Sequence, residues 1–251
     1  MLKTTDHGSI RELNMDRPPV NAFNPALVGA LADALTDAFG QCRGVVISGR
    51  KGLFSAGLDV PELMTMDREG MARFWEAYFG LLEVLARSPV PVAAAITGHS
   101  PAGGAVVSLF CDYRVMSRGE YVFGLNETRV GLVVPEVIQN ALVRLTGPHR
   151  AERLIVAGEL LSPESALEAG IVDALADDPE SAVSEAINWC EQLDGLPRHA
   201  MLGNRAMLRA DLGRMFDTLG SREVELFVDG WFAEETQQVL QALVAKLKSR
   251  G

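Results

Sequence analysis

Cysteine is scarce in this chain. The three present, Cys42, Cys111 and Cys190, are odd in number, far apart and in no C-x-x-C spacing. That excludes a disulfide framework, suggests no zinc site and leaves them as small core residues. Positive charge is also in deficit, with 23 Lys and Arg against 33 Asp and Glu and a formal net charge of -10. Nucleic acid is therefore excluded as a partner, because a phosphate backbone demands a basic face and no basic tract supplies one. The amino terminus, "MLKTTDHGSIRELNMDRPP", lacks an apolar run of signal-peptide length, so a mature cytoplasmic protein is expected. The apolar stretch from Val90 to Phe110 is interrupted by Pro91, His99, Ser100, Pro101 and a glycine pair. A lipid-exposed turn there would strand backbone groups, so it reads as buried strand, turn and buried helix, and no membrane partner is expected.

What is present is an ordinary globular composition, 48% hydrophobic, 22% charged and 6% aromatic over 251 residues, enough for one large domain or one domain with an appendage. "GVVISG" (44–49), "PVAAAITG" (91–98), "DYRVMS" (112–117) and "YVFG" (121–124) read as short buried strands. Between them Leu27, Leu31, Leu35 and Phe39, and later Phe74, Tyr78, Leu81, Leu82 and Leu85, mark helices. From about residue 147 strands are no longer expected. "SPESALEAG" (162–170) and "DPESAVSEAINWCEQL" (178–193) carry helix-start signals, and the last helix bears a stripe of Val239, Leu240, Leu243, Val244 and Leu247. Such a stripe packs either on its own domain or on a partner subunit. The reading is α/β, with a core over 1–147 and a helical carboxy-terminal region over 148–251.

"TGHSPAGGAVV" (97–107) places a glycine pair between a strand and a helix. It is not a phosphate loop, since Ala105-Val106 stand where Lys-Ser/Thr is needed, and no two glycines in the chain are spaced as G-x-G. Gly98-His99-Ser100-Pro101-Ala102 approximates a serine-hydrolase elbow, with Asp173 and His199 downstream in the right order. Against that, Pro101 lacks the N–H that such an elbow uses as an oxyanion donor. A turn exposing backbone N–H groups at a helix start remains, suited to an oxygen that gains negative charge. For an isolated pair, close helix packing would explain the glycines equally well.

Three further segments accompany the pair: "RPPVNAFN" (17–24), "FSAGLDV" (54–60) and "GLNETRVGLVVP" (124–135). In this order and spacing the chain resembles the crotonase superfamily, the enoyl-CoA hydratase/isomerase family, from about Arg17 to Val172. The resemblance implies a ClpP/crotonase-like spiral of ββα repeats, a helical carboxy-terminal segment that builds homotrimers or hexamers, and an acyl-CoA substrate with no separate cofactor and no metal. It implies an oxyanion hole made by the N–H groups of Leu58 and Gly103, with Ala22, Ala56, Gly57, Asp59, Val60 and Gly104 around the substrate. Of the two glutamates that hydratases of the family use, one falls at Val106 and is absent, and the other falls at Glu127. "GLNET", "PAGG" and "CDYRV" resemble the mitochondrial-type delta-3,delta-2-enoyl-CoA isomerase branch, in which one acid/base shifts a double bond in a pathway of fatty acid metabolism. A single base suffices for that, whereas hydration must also activate water.

Glu136 reads as a helix-start carboxylate, and Asp59 and Asp112 as capping or structural residues. His7, His149 and His199 show no metal or triad spacing. Arg17, Arg50 and Lys51 are candidate contacts for the phosphates of CoA. Three alternatives stay open: a hydratase-like enzyme with another acyl-CoA reaction, a serine hydrolase using Ser100, and a non-catalytic CoA-binding scaffold.

Overall fold

The computed structural model describes residues 1–249. Its strands are β1 (Leu2–His7), β2 (Ile10–Met15), β3 (Gly44–Ser48), β4 (Gly52–Leu53), β5 (Val92–Ile96), β6 (Gly98–Pro101), β7 (Tyr113–Ser117), β8 (Phe123–Gly124) and β9 (Ala174–Ala176). Six form one sheet in the order β1-β2-β3-β5-β7-β9, and three form a second in the order β4-β6-β8. Only β1 and β2 pair antiparallel; the other pairings are parallel.

The chain order explains the two sheets. Each of β3, β5 and β7 is followed within a few residues by a short strand of the second sheet, β4, β6 and β8, and then by a helix. Three ββα turns wound in this way make a spiral in which the small sheet lies at the ends of the large-sheet strands. The helices are α1 (Pro25–Gln41), α2 (Val60–Leu63), α3 (Arg68–Ala86), α4 (Gly103–Leu109), α5 (Glu136–Thr146), α6 (Pro148–Ala157), α7 (Pro163–Glu168), α8 (Pro179–Asp194), α9 (Arg198–Leu208), α10 (Ala210–Arg214), α11 (Ser221–Trp231) and α12 (Glu234–Lys248). No helix is long and apolar enough to cross a membrane among the described residues.

Local chemistry sets the element starts. Asn24, Asp67, Ser162 and Asp178 each accept a hydrogen bond from a backbone N–H of the first turn that follows, satisfying one orphan donor. Strand β5, Val-Ala-Ala-Ala-Ile, is buried along its whole length. Its alternate residues face opposite ways: Val92, Ala94 and Ile96 enter the main core, while Ala93 and Ala95 pack with Val46, Val115, Ala182, Ala186 and Cys190 beneath α8.

The expectation that strands end near residue 147 is corrected here. Strand β9 pairs with β7, and α8 covers one face of the main sheet against β3, β5 and β7. The segment after Gly147 thus completes the sheet as well as adding helices. Three residues of Ala-Leu-Ala carry no periodicity from which such a strand could be read.

Candidate active site

Three segments converge because each occupies a turn between a strand and a helix. At the first, Phe23 accepts from Asp59 N–H and donates to Gly57 C=O, at 2.9 and 2.7 Å, so that Leu58 is held between two tied neighbours. The Leu58 N–H has no acceptor among the described residues. At the second, Ala102 adopts φ 49 and ψ -123, a left-handed conformation costly for a residue with a Cβ. Its N–H donates to Gly124 C=O at 2.8 Å, and its carbonyl accepts from Val106 N–H at 2.9 Å. No side chain caps α4, so the N–H of Gly103, its first residue, is an orphan donor.

The two turns touch. A Cβ placed on Gly57, which sits at φ +92, would lie 2.9 Å from Ala102 Cβ and 3.4 Å from Gly103 N. A Cβ on Gly103 would lie 3.4 Å from Leu58 Cδ2. Glycine at both positions lets the Leu58 and Gly103 donors approach each other, an arrangement that can hold one oxygen from two sides.

The third segment carries the acid. Glu127 opens a 3-10 turn, Glu127–Val130, directly after β8. Its Oε2 is sealed from solvent and has no hydrogen-bond partner among the described residues. Burial pushes its carboxyl up from the ordinary 4.5 to about 7, because an apolar surround disfavours the charged form. A group with that value is both an able base and an able acid near neutrality.

These segments open on one cavity of about 630 Å³. Arg17, Ala22, Ala56, Leu58, Asp59, Val60 and Glu127 line it, together with Ala102. Gly57, Gly103 and Gly104 are buried or close behind that wall and contribute backbone rather than surface. Arg17 sits at the cavity but its charge is met by Asp59 at 2.7 Å and Glu62 at 3.2 Å. Asp59 also caps α2 by accepting from Glu62 N–H. The structure does not bring Arg50 and Lys51 to the cavity: Arg50 donates to Pro19 C=O and lies 3.4 Å from Asp16, and the exposed Lys51 pairs with Glu180. Val106 is buried in the core and is not part of the cavity wall, and Glu136 starts α5.

The serine-hydrolase arrangement is not assembled. Ser100 is fully buried with an unpartnered hydroxyl, His99 Nδ1 accepts from Val122 N–H, Asp173 pairs with Arg114 at 2.7 Å, and His199 is exposed. The residues missed by sequence reasoning lie mostly beyond residue 125. Asn126, Val130 and Leu132 flank Glu127, and Trp231, Leu240, Leu243 and Leu247 close the apolar side. The last three belong to the α12 stripe, which thus faces the cavity of its own chain, with Leu240 fully buried and Leu247 half exposed. Thr236 fixes the helix there, its hydroxyl donating to Gly131 C=O at 2.8 Å.

Comparison with known proteins places the chain in a family. The profile described as enoyl-CoA hydratase/isomerase matches residues 5–250. Human enoyl-CoA delta isomerase 1, mitochondrial, is 33% identical over 240 residues, 94% of this chain and 79% of the relative. A probable enoyl-CoA hydratase of Mycobacterium avium is 32% identical over 201 residues, 77% of this chain and 76% of its own length. The crystal structure of human mitochondrial delta3-delta2-enoyl-CoA isomerase superposes with a TM-score of 0.94 at 30% identity, covering 99% of this chain and 98% of that one. The chain has the crotonase fold and is an enzyme of the enoyl-CoA hydratase/isomerase family.

Proposed function

We propose that this enzyme converts a 3-enoyl-CoA to the 2-enoyl-CoA, with Glu127 as its one acid and base. The observation that carries the reading is a cavity with two free backbone donors and a single carboxyl poised near neutrality. The other acid in the wall, Asp59, is held by Arg17 and by its capping bond. The name of the human relative, an enoyl-CoA delta isomerase, supports the same reaction.

In this mechanism the thioester oxygen accepts hydrogen bonds from Leu58 and Gly103 N–H. The Glu127 carboxylate takes a proton from the carbon next to the thioester, and the electron pair spreads through a dienolate onto that oxygen. Protonated Glu127 then returns the proton to the far end of the original double bond, which leaves the new one in conjugation. Each oxyanion donor is worth about a hundred- to thousandfold in rate, and the positioned carboxyl about a hundred- to ten-thousandfold. Ala22, Ala56 and Val60 would flank the thioester, and Trp231, Leu240, Leu243 and Leu247 the acyl chain.

Assembly into trimers or hexamers, which the family resemblance implies, is supported by exposed apolar side chains such as Val133, Val156, Met207 and Leu208. Light scattering reads it directly.

The decisive assay offers the enzyme a 3-enoyl-CoA and a 2-enoyl-CoA separately. Conjugation of the first with little hydration of the second is the expected result. Rapid hydration of the second would overturn the single-base reading and favour the activity named for the mycobacterial relative.

A further inference from the structure

The turn that presents Gly103 is tied through the backbone at Ala102, whose N–H donates to Gly124 C=O and whose C=O accepts from Val106 N–H. It joins a strained alanine to two successive glycines, and no side chain caps the helix that follows. One side chain nevertheless grips it. Tyr78, on α3, donates its hydroxyl to Gly103 C=O at 3.0 Å, and this is the one side-chain hydrogen bond to the backbone of Ala102, Gly103 or Gly104 among the described residues.

The contact is tight on every side. A Cβ on Gly103 would lie 3.1 Å from Tyr78 Oη and 3.4 Å from both Leu58 Cδ2 and Phe23 Cδ2. Tyr78 is itself fixed, 1% exposed, edge-on to Phe23 and Trp75 at centroid separations of 5.8 and 5.4 Å and stacked on Phe74. Trp75 packs in turn on Phe227 of α11. Hence the rigid face of α3 reaches both donor residues, touching Gly103 directly and meeting Leu58 through Phe23 and the glycine. Burial, with a smaller contribution from the Glu127 charge, holds the Tyr78 hydroxyl well above the usual tyrosine range, so it remains a donor whenever the enzyme is folded.

We propose that Tyr78 is a positioning residue for the oxyanion hole, its hydroxyl holding the C=O of Gly103, and with it the residue whose N–H lies one peptide earlier, so that the Gly103 and Leu58 N–H groups meet a single oxygen. It does not line the cavity and touches no reacting atom. The inference rests on the function proposed above. Its physical basis is that donors act in proportion to their preorganisation, and slack of a fraction of an ångström in a two-donor site lowers the rate without weakening general substrate binding.

The test compares wild type with Tyr78→Phe, which keeps the ring and removes only the hydroxyl, and with Leu82→Ala, which damages the packing of α3 one turn further on. Isomerisation kinetics are read beside the absorption band of bound cinnamoyl-CoA, a conjugated thioester whose band moves to longer wavelength as its carbonyl is polarised. Tyr78→Phe is expected to lower kcat about fivefold to thirtyfold with KM within about threefold, and to shrink the band shift of the bound probe. Leu82→Ala is expected to lower Tm while keeping kcat and the band shift within about twofold of wild type.

An unchanged band shift and kcat in Tyr78→Phe would overturn the proposal, as would an equal loss in Leu82→Ala, which would make the effect one of general packing. A wild-type enzyme that neither isomerises 3-enoyl-CoA nor shifts the probe would overturn the proposed function and this inference together. A wild type that does both, beside an unaltered Tyr78→Phe, would overturn the role of Tyr78 alone.

Discussion

Replacing Glu127 by glutamine should stabilise the protein at alkaline pH and do little near pH 5. In the unfolded chain this carboxyl ionises at the ordinary 4.5, whereas in the fold burial raises it to about 7. Below 4.5 both states hold the proton and no pH-dependent term arises. Between 4.5 and 7 the unfolded state ionises freely while the folded state does not, so the folded state loses ground at about 1.4 kcal/mol per pH unit. Above 7 both states are ionised and the penalty is constant, roughly 3 to 4 kcal/mol in all, the gap between 4.5 and about 7 converted at that rate. Glutamine carries no such penalty, and its own packing cost does not vary with pH. Urea unfolding of both proteins at about pH 5 and at about pH 8.5 isolates the term, since every other titrating group is shared. A stability difference that stays level across that range would refute the burial argument and, with it, the acid and base role built on it. The same group sets the rate: kcat/KM should rise with pH through about 7 as the base form of the free enzyme fills, and the slope should vanish in the glutamine variant.

Three further outcomes follow from the geometry. Gly103→Ala brings a Cβ to 3.1 Å from Tyr78 Oη and 3.4 Å from Leu58 Cδ2, and should lower kcat about tenfold to a hundredfold with a smaller change in KM, measured as conjugation of a 3-enoyl-CoA. Leu243→Trp should fill the cavity from α12 and cut kcat/KM for long acyl chains by about tenfold or more while sparing short ones, read by a chain-length series. Val106→Glu should yield little or no hydratase activity and should destabilise the fold by about 3 kcal/mol or more, since that position is buried in the core rather than on the cavity wall; a stable variant that hydrates 2-enoyl-CoA well would contradict the placement.

The parts legible in the sequence are those whose chemistry is local. Strands β3, β5 and β7 are apolar runs bounded by glycine, proline or polar residues, and a Cβ at Gly57 or Gly104 would meet a neighbour at 2.9 Å, so these turns favour glycine. Glu127 is legible as a candidate only through the segment around it, "GLNETRVG". Strand β8 falls inside the "YVFG" run, whereas β4 is two residues held by pairing to β6 and has no pattern of its own. The β1-β2 hairpin has an exposed first strand with little alternation. Arg50 and Lys51 looked like anion contacts because they adjoin the Gly57 turn in sequence, yet Asp16, Pro19 and Glu180 occupy them. Periodicity revealed the face of α12 but not its destination, because an apolar stripe fits any apolar surface.

That destination gives α12 a second consequence. The residues that would receive an acyl chain, Trp231, Leu240, Leu243 and Leu247, wall the same cavity as Glu127. Glu127 owes its raised pKa to loss of water, so part of the acid and base chemistry is set by how well this wall is closed. The Thr236 to Gly131 bond ties the start of α12 to the loop that leaves the Glu127 turn, and Leu132 N–H donates to Glu127 C=O at 3.0 Å within that loop. A polar residue at Leu240 would therefore act in two places at once. It would weaken apolar binding, and by admitting water it would return Glu127 toward 4.5, moving the acid limb of the rate profile to lower pH. Leu240→Gln separates these effects from simple loss of packing, because loss of packing alone lowers the rate without moving the limb. An unmoved limb would show that the Glu127 pKa is set by its own turn, independently of α12.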